Sequence, residues 1–417
     1  MTETCHRRST CRLCTGSDLQ EVLSLEPTPP ANAFVPKELV GKDQAVFPLD
    51  IFFCQSCGHV QLLDVVDPKV LFENYVYVSG TSPVFVKHFE DYANDVLNTY
   101  QPPKGAMVVD IGSNDGTLLS FFKKAGQTVL GIDPAKDISQ DATERGIETW
   151  CDFFTPELSA KIKQEHAPAH VITANNVFAH ADDLVGMVHS IRELLAPEGV
   201  FIFEVSYLVD VFEKTLFDTI YHEHVAYHSV KPLQQFFADN RMELISAKRI
   251  GTHGGSLRGV AQLRSGPHIK QPSVNKMIAL EACLGLDQAK TFEAFGRHID
   301  EIKAELTSLL KSLKADGKTI AGFGAPAKAT TLMYHFGIGP DIIDFIVDDS
   351  PLKQNLYAPG LHIPVLPSQA IYEQKPDVVV ILAWNFAEPI MKNHARYQEQ
   401  GGQFIVPLPE VKVFTSP

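Results

Sequence analysis

The sequence predicts an α/β fold in three parts: a small metal-bound N-terminal segment, a central nucleoside-binding α/β unit and a second α/β half. Three observations lead there. An apolar run, Met107–Ile111, breaks at a glycine turn, Gly112-Ser113-Asn114-Asp115-Gly116, and resumes as a helix-like segment, Thr117–Lys124. Two Cys-x-x-Cys pairs, Cys11/Cys14 and Cys54/Cys57, stand near the N-terminus. From Thr319 onward, strand-like runs again alternate with turns and helical segments. Glycines let the chain turn tightly between strand and helix, so that a ligand approaches the peptide groups and the helix start.

Composition sets the bounds. A chain of 417 residues is too long for one ordinary core. Its 45% hydrophobic and 21% charged residues are those of a globular protein. A net charge of −14 argues against a nucleic-acid partner, because polyanion binding needs a basic surface. The longest purely apolar run, 378–384, is far too short to cross a bilayer, and the N-terminus lacks the apolar core of a signal peptide. No membrane association and a cytoplasmic location are therefore expected.

The first segment runs to about residue 70. Each Cys-x-x-Cys hairpin offers two thiolates, so Cys11, Cys14, Cys54 and Cys57 complete a closed, structural Cys₄ shell for zinc. The segment is rich in proline and has little apolar core of its own, so metal would supply folding energy. Cys5 and His59 are possible extra ligands, Cys5 reading better as a free thiol. Seven cysteines in this length do not suggest a disulfide scaffold, and the lone Cys151 and Cys283 are expected to pack as small apolar residues. Residues 72–80 are aromatic and β-branched. Tyr75 and Tyr77, two apart, share one face of an extended segment, either at a ligand or packed on the core.

A second strand, Thr128–Ile132, ends in Asp133, where an acid usually holds a ribose diol. A short strand over 147–151 would carry Asp152 and Phe153 past an adenine. A strand over 170–174 delivers Asn176 and His180 to the crevice at the carboxyl end of a central strand. An amphipathic helix over 184–195 precedes a strand over 200–205, in which Glu204 is either a buried, partnered acid or points into the crevice. Tyr221-His222-Glu223-His224-Val225-Ala226-Tyr227-His228 is the densest polar stretch. It reads as acid–base chemistry, as a metal site of His222, His224 and His228, or as a hydrogen-bonded core cluster. The glycine-rich turn 251–258, with His253 and Arg258, either approaches a ligand or closes a hairpin.

Apolar residues recurring by threes and fours from Phe292 to Leu313 predict a long amphipathic helix packed within the molecule. It leads to strands over 319–323, 342–347, 378–383 and 403–406. Lys328, at a helix start after Gly324-Ala325-Pro326-Ala327, and Lys353 either hold a diphosphate or are solvated surface.

These motifs together resemble one family. Gly-x-x-x-Gly enclosing Asn114-Asp115 is similar to the S-adenosylmethionine (SAM) loop of class I methyltransferases. With the cysteine pairs flanking Pro29-Pro30-Ala31-Asn32-Ala33-Phe34, Cys57-Gly58-His59-Val60-Gln61-Leu62, Tyr75-Val76-Tyr77-Val78-Ser79-Gly80, Tyr221-His222-Glu223-His224, Gly324-Ala325-Pro326-Ala327-Lys328 and Ala383-Trp384-Asn385, the chain resembles, over nearly its whole length, SAM-dependent C-methyltransferases of nucleotide-linked deoxysugars. The resemblance implies a zinc-binding domain (1–70), a Rossmann-like SAM methyltransferase domain (71–270) and a C-terminal Rossmann-like domain (271–417). The partner implied is a dTDP-type keto-deoxysugar between the last two, and the chain is expected as a monomer or weak homo-oligomer. SAM would meet Ser79, Gly112, Asn114, Gly116, Asp133 and Asn176. Tyr77, Lys328, Lys353 and Asn385 would meet the nucleotide sugar. The implied base is His224, with Tyr75, His180, Tyr221 and Glu223 surrounding the sugar, orienting the base or stabilising an enolate oxygen. An O- or N-methyltransferase, or a non-catalytic nucleotide-sugar binder, are the competing functions.

Overall fold

The computed structural model describes residues 4–72, 80 and 82–415. Tyr75, Tyr77, Ser79 and the side chain of His253 lie outside the described residues. The centre is a seven-stranded sheet in the spatial order Met242–Ile250, Ser256–Leu263, Leu195–Ser206, Ala169–Asn175, Met107–Ile111, Thr128–Ile132 and Thr149–Trp150. From Leu195–Ser206 to Thr149–Trp150 neighbouring strands pair parallel, while Ser256–Leu263 runs antiparallel to both of its neighbours. The central strands are apolar on both faces because helices cover both, as parallel sheets require. Strand order reverses between Met107–Ile111 and Ala169–Asn175, which opens the ligand crevice at their carboxyl ends. The fold is the Rossmann-like α/β fold that the glycine turn predicts.

The flanking helices start where their sequences provide caps. Thr155 accepts from the Leu158 amide to begin Pro156–Glu165, and Asp183 accepts from Gly186 to begin Leu184–Leu194. The expected amphipathic helix spans Ala289–Ala315 and buries Phe292, Phe295, Ile299, Ile302, Leu306 and Leu310. It packs on the N-terminal strand Leu19–Thr28.

The C-terminal half holds a six-stranded sheet ordered Val365–Leu366, Phe345–Val347, Ile320–Phe323, Val378–Ile381, Gln403–Val406, Lys412–Phe414. Its first five strands are parallel and the last is antiparallel. Its switch point falls between Phe323 and Ile381, so the turns after these two strands face each other. A Cβ on Gly324, at φ +88°, would collide with Ala383.

The N-terminal segment forms an antiparallel sheet of Leu19–Thr28, Phe47–Cys54 and Val60–Leu62. Its fourth strand, Ala226–Tyr227, comes from the middle of the chain, within the histidine-rich stretch. The core of this segment is continuous with that of the two α/β halves. Among the described residues no helix is long and apolar enough to cross a membrane.

Two expectations are corrected. Cys151 and Cys283 are exposed rather than packed as apolar residues: Cys151 sits just past the strand Thr149–Trp150, and Cys283 is the last residue of the helix Ser273–Cys283. The turn 251–258 closes a hairpin between Met242–Ile250 and Ser256–Leu263, and Arg258 faces Glu204 instead of a ligand.

Candidate active site and metal centre

Four sulfurs gather at the base of the N-terminal sheet. Cys11 Sγ lies 3.7 Å from Cys57 Sγ, and Cys14 Sγ lies 3.5 Å from Cys54 Sγ. All four are within 4.8 Å of one another, and none is in a disulfide. Thiolates 2.3 Å from a tetrahedral zinc stand about 3.8 Å apart, so the donor set fits that ion. With four sulfurs it leaves no place for water and is structural. Among the described residues this is the only grouping of such side chains that could hold a metal, and it includes neither Cys5 nor His59.

The glycine turn fits a nucleoside. Gly112 and Gly116 take φ of +70° and +73°, and a Cβ on Gly112 would strike the Val177 side chain across the switch point. Asp133 Oδ2 accepts from the Asn114 amide at 2.8 Å, and Oδ1 accepts from Ala135 at 2.9 Å. The expected ribose acid therefore also braces the turn, and burial raises its pKa. Asp110, beneath the turn, is buried and pushed up to about 7, while Thr173 Oγ1 donates to it at 2.6 Å. The Gly80 amide donates to Asp115 Oδ2 at 3.1 Å, which brings the chain following the aromatic segment onto this turn. Asn176, at φ +55° just past its strand, is fixed by donation from its amide to the Glu204 carbonyl.

Glu204 is the buried, partnered acid of the two alternatives. Its carboxylate lies 2.8 Å from His88 Nε2 and accepts from Arg258 Nε at 2.6 Å. The guanidinium stacks 3.9 Å over Tyr92. This network fastens the helix Pro83–Tyr100 to the sheet; the charges compensate one another, as buried ion pairs must.

The three histidines of the polar stretch part company. His222 Nε2 donates to the Phe47 carbonyl at 3.1 Å, and His228 Nε2 lies 3.4 Å from the Phe178 carbonyl. Burial holds both rings down at about 4. These two are core residues, which removes the reading of His222, His224 and His228 as one metal site. His224 instead stands beside His180 and Tyr221, with ring centroids 5.1 and 4.3 Å away. Its Nδ1 is 2.8 Å from the Thr219 carbonyl. A carbonyl only accepts, so Nδ1 carries the proton and a neutral ring has its lone pair on Nε2. His180 is half-buried, and burial of its ring together with His224 holds it well below the ordinary histidine range; its Nε2 has no hydrogen-bond partner among the described residues. The adjacent Glu223 is buried and accepts from Asn32 Nδ2 at 3.0 Å, which brings the Pro-Pro-Ala-Asn-Ala-Phe segment to the same place.

In the C-terminal half the turn geometry of the first crevice recurs. Asp348 Oδ2 accepts from Ala325 at 2.6 Å and Oδ1 from Ser350 at 2.8 Å, as Asp133 does from Asn114 and Ala135. The lysines are not solvated surface, which corrects that alternative. Lys353 Nζ donates to the Ala325 carbonyl at 2.8 Å, and Lys328 Nζ lies 3.6 Å from Asp218 and 4.1 Å over the Trp384 ring. Burial lowers the pKa of both. Asn385 is exposed in the turn Trp384–Phe386. Sequence reasoning did not single out Asp218, Thr219, Asn32 or His88; the Ala-Asn-Ala segment is the one sequence signal that pointed near any of them.

Three family profiles cover the chain in succession. "Putative zinc binding domain" matches residues 11–72, "Methyltransferase domain" 85–247 and "C-methyltransferase C-terminal domain" 251–409. The C-methyltransferase NovU of Streptomyces niveus is 34% identical over 406 residues, 97% of either chain. The ubiquinone biosynthesis O-methyltransferase of Salmonella paratyphi A is 29% identical over 100 residues, 23% of this chain and 40% of that one. Among solved structures, the magnesium protoporphyrin IX methyltransferase of Synechocystis with bound SAM aligns with 45% of this chain and 86% of its own, at 13% identity and a TM-score of 0.32.

Proposed function

The chain belongs to the SAM-dependent C-methyltransferases, and on that premise we propose that it methylates a carbon of a nucleotide-linked 4-keto-6-deoxyhexose, at C-3. The observation that carries this reading is the tautomer of His224. Its Nδ1–H is engaged by the Thr219 carbonyl, so the basic nitrogen is Nε2, on a ring that touches both His180 and Tyr221. A ketone acidifies the neighbouring C–H bond. His224 Nε2 takes that proton, and the C–H electrons pass into the carbonyl to give an enolate. Proton abstraction beside a carbonyl needs donors aimed at the developing oxyanion. His180, neutral, and Tyr221 supply them, with Tyr75 as a third. Glu223, held by Asn32, orients the loop. Bound SAM supplies an electrophilic methyl group, and Ser79, Gly112, Asn114, Gly116, Asp133 and Asn176 hold it facing the enolate carbon. The second crevice, with Lys328, Lys353, Asn385 and Tyr77, takes the nucleotide diphosphate, of dTDP type. The domain divisions 1–70, 71–270 and 271–417 belong to the same reading, as does a cytoplasmic monomer or weak homo-oligomer.

Incubation in D₂O with nucleotide-linked 4-keto-6-deoxyhexoses, with and without SAM, tests it. Deuterium should enter beside the ketone without SAM. With SAM, a carbon-bound methyl should appear at that position, and His224→Asn should abolish both. A methyl group gained on oxygen or nitrogen, or exchange that survives in His224→Asn, overturns the assignment.

A further inference from the structure

Asp218 is buried without any solvent exposure, two turns of chain before the base, and takes no part in the chemistry above. Its Oδ2 accepts from Trp384 Nε1 at 2.6 Å and lies 3.6 Å from Lys328 Nζ. Trp384 comes from the turn after Val378–Ile381, and Lys328 from the start of the helix Ala327–Phe336, just past the facing turn. The residue after Asp218 is Thr219, whose carbonyl accepts from His224 Nδ1. One turn of 3₁₀ helix, Phe217–Thr219, therefore connects the second crevice to the ring of the base. The same helix that begins at Ala327 fastens this turn again, since Thr331 Oγ1 donates to the Ile220 carbonyl at 2.7 Å. It also reaches the opposite wall, where Thr330 Oγ1 donates to the Ala31 carbonyl at 3.1 Å, beside the Asn32 that holds Glu223.

A buried carboxylate is costly unless it is paired. Here one indole N–H and one ammonium pair it, and its second oxygen, Oδ1, has no hydrogen-bond partner among the described residues. A core filled with apolar side chains would have been simpler, so the cluster serves position rather than packing. Which nitrogen of a histidine carries the proton is decided by the hydrogen bond the other one makes. A displaced Thr219 carbonyl would release Nδ1–H and let the ring adopt the other tautomer, with its lone pair turned away from the reacting carbon.

We propose that Asp218, clamped by Trp384 and Lys328, is a positioning residue that fixes the Thr219 carbonyl and with it the tautomer of His224, so that the C-terminal domain sets the base. The inference rests on His224 being the base, and its first readout needs no substrate. In protein labelled with ¹⁵N-histidine, the His224 signals are identified by their absence from the His224→Asn spectrum. They should show Nδ1–H in the parent and a shift toward Nε2–H in Trp384→Phe and in Asp218→Asn. Both variants should lower kcat about tenfold to a hundredfold, the usual effect of a misplaced catalytic group, with KM for SAM and sugar within about twofold. Asp218→Ala should fall further than Asp218→Asn, which keeps an acceptor for Trp384. Trp384→Phe, which removes one donor at the edge of the cluster, stays informative if the Asp218 variants do not fold. An unchanged tautomer in a folded variant overturns the proposal, whatever happens to kcat. So does a rise in KM alone, which would make the cluster part of nucleotide binding. If the tautomer shifts as expected while no keto sugar reacts, the positioning role stands and the substrate assignment falls.

Discussion

His222 and His228 differ from His224 by where their rings point, and the difference has a measurable cost in acid. Burial keeps both at about 4, against an ordinary value near 6.5. Between those values the unfolded chain binds a proton at each position and the folded chain does not, so stability rises with pH through that window. It is fully present above about pH 6.5 and is lost as pH falls toward 4. The upper size is about 3 kcal/mol per ring. Melting temperature should therefore drop steeply from pH 6.5 to 4, and His228→Phe, which keeps the stack on Phe178, should flatten the slope. A melting temperature that is level from pH 6.5 to 5 would refute this account. The sequence shows three histidines in a short run and gives no means of separating them, because a loop has no periodicity to assign faces. Only the carbonyls of Phe47, Phe178 and Thr219, far apart in sequence, sort them into two core residues and one that stands beside His180 and Tyr221.

Elements were more legible than side chains. The strands Met107–Ile111, Thr128–Ile132 and Gln403–Val406 and the helix Thr117–Lys124 have the bounds that their apolar patterns predict. The strands Val365–Leu366 and Lys412–Phe414 escaped notice because two or three residues are too few to display alternation. At this scale the cysteine centre makes its own prediction. It ties the end of the strand Phe47–Cys54 to Cys11 and Cys14, and that sheet carries Ala226–Tyr227 at its edge, two residues after His224. Cys54→Ser should lose the zinc, measured as metal per chain. Structural zinc contributes on the order of 10 kcal/mol of binding free energy, so the variant should lose cooperative folding rather than activity alone. A folded, metal-free Cys54→Ser protein with normal turnover would contradict a structural role.

Over the whole molecule, the three parts share one core. The helix Ala289–Ala315 and the helix Ala327–Phe336 both pack on the N-terminal strand Leu19–Thr28, and apolar contact continues from Cys11 to Leu408. Parts so joined should melt together, since domains separate only where few contacts cross. Calorimetry of the metal-loaded protein should show one transition; two well-resolved transitions would mean that the C-terminal half stands alone. Three successive α/β or metal-binding segments were readable from motifs, but their interleaving was not. No local pattern announces that a two-residue strand within the histidine-rich run belongs to the first sheet.

That borrowed strand also imposes a timetable. Ala226 follows Leu62 by 164 positions, 226 less 62, yet the two strands belong to one sheet. At about 5–20 residues per second of synthesis, the ribosome takes roughly 8 to 30 seconds to cover that interval. Both Cys-x-x-Cys hairpins are made before it begins. During it the nascent chain holds three strands of a four-stranded sheet with one edge unpaired, which is an invitation to wrong partners. Metal captured by the hairpins at that stage would keep the incomplete sheet in register until its last strand, and His224 beside it, emerges.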